Sequence, residues 1–230
     1  MSNTQSTTTV RAFDEAASDF DDLGQFLWEP IGAATVEATS PSAGDHVLDA
    51  CCGVGASAIP SASRVGPDGR VDAIDLSAPM IDELTSLAAD LPQLHATHAD
   101  ATSWPTDGYD VVQCVLGIFF FPDMATGTDW LASRARPGGR VGLTIWRRGS
   151  MEAAGHHLIR AVAEVTRTDP TRRPSHPIDD VNQATDFQSW LSDADVERVC
   201  VAYLESLRAE NVDHLDATTL IGLGSRPSQA

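Results

Sequence analysis

Lysine is absent from this chain of 230 residues. All 15 basic residues are arginines, set against 33 acidic residues for a formal charge of -18. Such a chain repels phosphate backbones, and no arginine-rich face interleaved with aromatics offsets the repulsion, so nucleic acid is not an expected substrate. Cysteine is scarce as well. The four residues Cys51, Cys52, Cys114 and Cys200 lack the paired short spacings of a zinc site, and vicinal cysteines do not usually bridge each other. Reduced thiols are expected, and no metal. No window approaches the roughly 20 apolar residues of a membrane span. The polar start "MSNTQSTTTVRAFDEA" has no apolar export core, so the expected location is the cytoplasm.

What is present is enough for one ordinary core: 42% of the residues are hydrophobic, in a chain short for two full domains. Phe13, Phe20, Leu23, Phe26, Leu27, Ile31 and Ala34 recur at three- and four-residue spacings that Pro30 starts afresh. They predict two helices forming a cap over residues 1–40. From 41 to 150, β-rich runs alternate with helical ones. "HVLDAC", "RVDAIDL", "HATHADA", "YDVVQCVLGIFFF" and "RVGLTIW" read as strands. "GASAIPSASRV", "SAPMIDELTSLAAD" and "MATGTDWLASRA" read as helices, with Ser77 as an N-cap and Pro79 in the first turn. "RPGG" reads as a turn. This alternation predicts an α/β fold with a doubly wound, mostly parallel sheet. Residues 151–192 read as a helix to about Arg173, a proline-rich loop and a short helix, and 193–230 as a further element and a closing strand, "ATTLIGLGSR".

Adjacent cysteines in "HVLDACCGVGASA" raise three chemistries: thiol reactions, a metal, or a nucleotide cradle. The loop falls between the carboxyl end of the first strand and the next helix, where α/β sheets bind ligands. Gly53 and Gly55 allow a sharp turn and close approach of a ligand. Cys51 and Cys52 then serve as small residues rather than reagents. "GVGASA" fits the dinucleotide fingerprint, and Asp75 stands 20 residues past Gly55, where a ribose-binding acid belongs. Asp49 discriminates: an acid at the strand end repels a pyrophosphate and suits a ligand carrying an ammonium and a sulfonium.

With "VLDACCGVG", "VDAIDLSAPMI", "HADAT", "YDVVQCVLGIFFFPD" and "ARPGGRVGLTIW" in this order, the chain from about 13 to 150 resembles the class I S-adenosylmethionine-dependent methyltransferases. The "FDEAASDFD" opening and the "GIFFFPD" run are similar to the branch that holds the ubiquinone and menaquinone C-methyltransferases. The resemblance implies a Rossmann-like fold and S-adenosyl-L-methionine as cofactor, with S-adenosyl-L-homocysteine as product. It implies that Asp49 holds the methionyl ammonium and that the amides around Ala50, Cys51 and Gly53, with Gly55, line the methionine part. Asp75 would accept the ribose hydroxyls, Leu76 and Met80 would sandwich adenine, and Asp100 and the Ala101 amide would meet its edge. Cys114 and Val115 would lie beside the sulfonium.

Methyl transfer from a sulfonium needs alignment and exclusion of water, and a base only where the acceptor loses a proton. His157 is the candidate base, with His156 beside it; two exposed helix histidines are the alternative. Phe20, Trp28, Phe119 and Trp146 are candidate lining for a small, aromatic or apolar acceptor, and ordinary packing is their alternative. At least one of Phe119, Phe120 and Phe121 is expected to face the acceptor, because strand side chains alternate.

The family's sheet normally closes with strand five, a helix, and strands six and seven. Here Val196, Val199, Tyr203, Leu204 and Leu207 have helical spacing, while Val199, Val201 and Tyr203 alternate as in a strand. Helix is the favoured reading, which leaves no clear strand six and an edge for an altered helix or a second subunit, as in a homodimer, to cover. Two other functions stand beside methyl transfer: binding of the cofactor or its product without catalysis, and an NAD-dependent oxidoreductase.

Overall fold

The computed structural model describes Asp14, residues 23–167 and residues 192–228. Phe20 and the first predicted cap helix lie outside these residues, as do the proline-rich loop and the short helix before Ser192.

Within the cap, a short π-helical turn, Gly24–Trp28, leads into α1, Glu29–Thr39. Pro30 sits in the first turn of α1, where its missing amide costs nothing. Alternation then follows: β1 (His46–Ala50), α2 (Ala58–Val65), β2 (Arg70–Asp75), α3 (Ala78–Leu87), β3 (Leu94–His98), β4 (Tyr109–Val115), α4 (Met124–Arg134) and β5 (Ala135–Trp146). Ser77 caps α3 as expected, accepting from the Met80 amide. After β5 come α5 (Glu152–Thr166), α6 (Asp193–Ala209) and β6 (Thr219–Ser225).

The six strands lie in the order β3-β2-β1-β4-β5-β6. β1 pairs in parallel with β2 on one side and β4 on the other, and β2–β3 and β4–β5 are parallel too. The sixth strand, for which the sequence offers no clear candidate before Asp193, is present: it is the closing run itself. Arg226 exchanges backbone hydrogen bonds with Gly138 and Gly139, while Thr218 meets Arg147. These pairs run in opposite senses, so β6 is antiparallel to β5 and forms the sheet's edge.

Side chains alternate across the sheet and build two cores. Leu48, Ile74, Val112, Cys114 and Val141 pack with Leu131 of α4 on one face. Val47, Val71, Ala73 and Val111 pack with Ala58, Ala62 and Val65 of α2 and Ile81 and Leu84 of α3 on the other. Burying each such side chain contributes about 1.5–3 kcal/mol.

Two strand readings need correction. β4 ends at Val115 because Leu116 turns left-handed at φ 54°. Ile118–Phe120 then form a 3-10 turn. Phe119 and Phe120 stack edge to face with centroids 4.8 Å apart, so strand alternation does not orient them. "RPGG" is not a separate turn but the start of β5, absorbed through an irregularity in pairing between Tyr109 and Val111.

The described residues group into two compact units, one of 1–145 with 219–230 and one of 146–218. In the second, Ala161 and Val162 of α5 pack on Val199 of α6, with Leu158, Val165, Ala202 and Tyr203 around them. That packing settles 193–209 as helix.

Candidate functional site

β2 and β4 flank β1, so the connections that leave β1 and its neighbour β4 run in opposite directions and open a crevice at the carboxyl end of β1. Asp49 stands at that end, with no exposed surface. Its Oδ2 accepts from Ser57 Oγ at 2.7 Å, while its Oδ1 has no partner. Burial lifts its pKa from 3.8 to about 7, against the lowering influence of Ser57 and Gln113.

The loop after β1 is tied down at both ends. The Cys52 amide donates to the Ile74 carbonyl at 3.0 Å. The Gly53 amide donates to Asp75 Oδ2 at 2.9 Å, and Asp75 Oδ1 accepts from the Ser77 amide at 2.9 Å. Asp75 thus spans the end of β2 and the start of α3; burial raises its pKa despite these amides. Gly53 and Gly55 both have positive φ, 53° and 99°. A side chain at Gly55 would strike Leu84 at 2.4 Å, whereas at Gly53 it would meet only Met80 Sδ, at 3.8 Å. Gly55 serves packing, and at Gly53 an added Cβ would make only an ordinary contact with Met80.

Leu76 is 41% exposed, Met80 only 2%. Met80 therefore supports the loop from beneath while Leu76 offers apolar surface. Asp100 caps a 3-10 turn, its Oδ1 accepting from the Thr102 amide and hydroxyl. Ala101 is buried, and its carbonyl accepts from Trp130 Nε1 at 2.8 Å. Ala50, the last residue of β1, pairs with Cys114 of β4; Val115 ends that strand, half-buried.

Cys51 and Cys52 are poor nucleophiles. The hydrogen bond with Cys114, together with burial, pushes the Cys51 thiol well above its ordinary pKa, and burial does the same to Cys52. Nucleophilic chemistry needs a lowered pKa. Among the described residues, no three His, Cys, Asp or Glu side chains come together to hold a metal. No helix among them is long and apolar enough to cross a membrane.

His157 lies in the second unit, 5% exposed rather than on a wet helix face. Its Nδ1 is 2.6 Å from Ser206 Oγ and its Nε2 is 3.7 Å from Glu210 Oε2. His156 is the exposed one of the pair, 4.0 Å from Glu152. Trp146 begins the same unit and Trp28 ends the π-helical turn.

Three residues escaped the sequence reading: Ser57, Gln113 and Gly117. Gln113, a polar side chain amid "VVQCV", was the visible signal. Its Nε2 donates to Ser61 Oγ at 2.9 Å, behind Asp49. Gly117 is needed because a Cβ there would lie 2.4 Å from Cys51 Cβ.

The site fits S-adenosyl-L-methionine on two observations. A fully buried carboxylate with one unpaired oxygen carries a desolvation penalty that a ligand ammonium would offset. The turn at Gly53, where even an added Cβ would touch only Met80 Sδ, sets no side chain of its own against that ligand.

The model of the methyltransferase domain family matches residues 47–139. Aklanonic acid methyltransferase of Streptomyces sp. (strain C5) is 32% identical over 147 residues, covering 61% of this chain and 67% of that protein. Demethylmenaquinone methyltransferase of Clavibacter sepedonicus is 31% identical over 138 residues, covering 56% of this chain and 54% of that protein. The fold matches the crystal structure of a SAM-dependent methyltransferase from Aquifex aeolicus with a TM-score of 0.52 at 14% identity, over 78% of this chain and 88% of that one. The domain match takes in the ligand loop and β1 to β4, and the chain spans 67% and 54% of the length of these two curated relatives and about half or less of others. A sheet that places an orphaned acid at its switch point, a methyltransferase domain model matched over the residues that carry it, and a relative 32% identical over two thirds of its own length admit one assignment: the chain belongs to the class I S-adenosylmethionine-dependent methyltransferases.

Proposed function

We propose that the protein transfers a methyl group to a small, aromatic or apolar metabolite. The observation that carries the proposal is the unpaired Oδ1 of Asp49 at the switch point, beside a loop clamped by Asp75. S-adenosyl-L-methionine, when bound, supplies a methyl group activated by its sulfonium. Asp49 would hold the ammonium, the amides of Ala50, Cys51 and Gly53 the methionine part, and Asp75 the ribose hydroxyls through the remaining lone pairs of its oxygens. Leu76 would cover adenine, with Met80 beneath the loop, and Asp100 and the Ala101 amide would meet the adenine edge. Cys114 and Val115 would line the transfer end.

The acceptor class draws support from relatives named for aklanonic acid and demethylmenaquinone. Trp28, Phe119, Trp146 and Phe20 stay as proposed acceptor lining. Phe119, half-buried in its 3-10 turn just past β4, has the best-supported place. For an acceptor that must lose a proton, His157 is the candidate base, and its burial between α5 and α6 suits a structural link better than proton transfer. We further place the protein in a reducing cytoplasm, which suits its four free thiols.

The test is methyl transfer to a panel of phenols, indoles, amines and quinone precursors, read as S-adenosyl-L-homocysteine formed. Turnover of an apolar aromatic supports the proposal. Tight binding of the product with no turnover across the panel points instead to a binding protein without catalysis.

A further inference from the structure

Behind Asp49 stands a column of buried polar side chains. Ser57, at the N-cap of α2 and 2% exposed, donates to Asp49 Oδ2 at 2.7 Å. Gln113 is the strand partner of Asp49 on β4 and has no exposed surface. Its Nε2 donates to Ser61 Oγ at 2.9 Å and to the Ser57 carbonyl at 3.4 Å. Its Oε1 lies 3.4 Å from Thr39 Oγ1, whose proton goes to the Thr35 carbonyl at 2.9 Å. The column therefore runs from α1 through β4 and α2 and terminates on one carboxylate oxygen.

An amide and three hydroxyls in the interior of an apolar sheet cost desolvation that valines would avoid, and a fully satisfied buried network gains rigidity in exchange. Within it Asp49 Oδ1 is left without a partner. A column that grips one oxygen and leaves its buried twin unpaired fixes the rotamer of the carboxylate.

We propose that Ser57 is a positioning residue for the charged methionyl end of the cofactor: its hydroxyl locks Asp49 so that Oδ1 alone faces the ammonium, and Gln113 holds Ser57 in place. The inference rests on the reading that this loop binds S-adenosyl-L-methionine. It makes the site selective for thioether and sulfonium nucleosides that carry an amino acid over those that do not. The titratable groups facing Asp49 are Asp75 from β2 and Cys52 from the loop. The Ser57 hydrogen bond lowers the Asp49 pKa and Asp75 raises it, so loss of the hydroxyl moves ionisation of Asp49 to higher pH.

Two ligands isolate the effect. S-adenosyl-L-homocysteine carries the ammonium; 5′-methylthioadenosine has the same adenosine and sulfur without it. Calorimetric titration of both, across pH 6 to 9, is run on wild type, Ser57→Ala, Ser57→Thr and Asp49→Asn. Ser57→Ala is expected to weaken S-adenosyl-L-homocysteine about tenfold, the size of one hydrogen bond to a charged group. It should leave methylthioadenosine within about twofold of wild type, shift the pH midpoint of the first ligand upward, and be rescued by Ser57→Thr. Equal weakening of both ligands, or an unmoved pH midpoint, overturns the inference. Should Ser57→Ala fail to fold, Ser57→Cys, a weaker donor, must reproduce the selective loss, and retained selectivity there overturns it too. Wild-type binding that Asp49→Asn leaves intact defeats the inference but keeps the cofactor reading. Binding of neither ligand by wild type defeats both.

Discussion

Asp75 holds Gly53: the carboxylate at the end of β2 accepts the amide of the loop that leaves β1, at 2.9 Å. Its other oxygen accepts the Ser77 amide. Asn at this position keeps one acceptor and turns an NH2 toward an amide donor. Asp75→Asn is therefore expected to cost about 1–3 kcal/mol of stability and to weaken S-adenosyl-L-homocysteine by tenfold or more. Chemical denaturation and titration calorimetry measure the two effects. Unchanged affinity in a destabilised variant would leave Asp75 a loop clamp with no ribose role.

Asp49 gives the fold a pH dependence of unusual sign for a carboxylate. Its folded pKa of about 7 lies above the ordinary 3.8. Between those values the folded chain holds a proton that the unfolded chain has released. The contribution of Asp49 to stability is therefore full below about pH 4 and lost as pH rises through about 7. The full shift corresponds to roughly 4 kcal/mol. Asp49→Asn, which does not ionise, should flatten that part of the slope in urea titrations from about pH 4 to 8. An unaltered slope would mean that Asp49 is ionised at ordinary cost.

At Gly117 the limit is steric. A Cβ would come within 2.4 Å of Cys51 Cβ and 2.9 Å of its Sγ, and within 3.0 Å of Cys114 Sγ. Gly117→Ala should cost about 1–3 kcal/mol, the range for overpacking. Cys51 has a positive φ of 58°, which glycine tolerates, so adding Cys51→Gly should restore most of the loss. Denaturant midpoints of the single and double variants decide it. Failure of the second change to help would place the strain elsewhere.

His157 is tied on both ring nitrogens, to Ser206 and Glu210. Its burial favours a link between α5 and α6 over a base. His157→Ala is expected to lower the melting temperature and leave turnover of a proton-losing acceptor unchanged from pH 6 to 9. A fall of about 100-fold or more in turnover, the scale of lost acid–base catalysis, would establish the base.

The cofactor loop was legible because its chemistry is local. Asp49, Gly53 and Gly55 sit within seven residues at the end of an apolar run, and Asp75 ends the next such run. Ser57, Gln113 and Gly117 were not legible, since each acts on a residue brought near by the sheet, as Gln113 reaches Ser61 across 52 positions. Phe119 was misread because its apolar neighbours continue the strand pattern, while the left-handed Leu116 that breaks it carries no sequence mark. The ambiguity of 193–209 was real, as both periods fit. Packing of Val199 on Ala161 and Val162 resolves it, a tertiary contact overriding a local tie.

The central position of β1 also dictates an order of assembly. β2 and β3 line up on one side of it from the next 50 or so residues of chain, but its other side waits for β4, which begins at Tyr109. During synthesis, the residues of β1, β2 and β3 leave the ribosome before those of β4, and any pairing among them keeps Val47 and Leu48 on a strand whose second edge is unpaired. Such an edge is a template for a neighbouring nascent chain. Arrival of β4 closes that edge and, in the same step, brings Gln113 alongside Asp49, so the segment that ends the exposure to aggregation is also the one that completes the site.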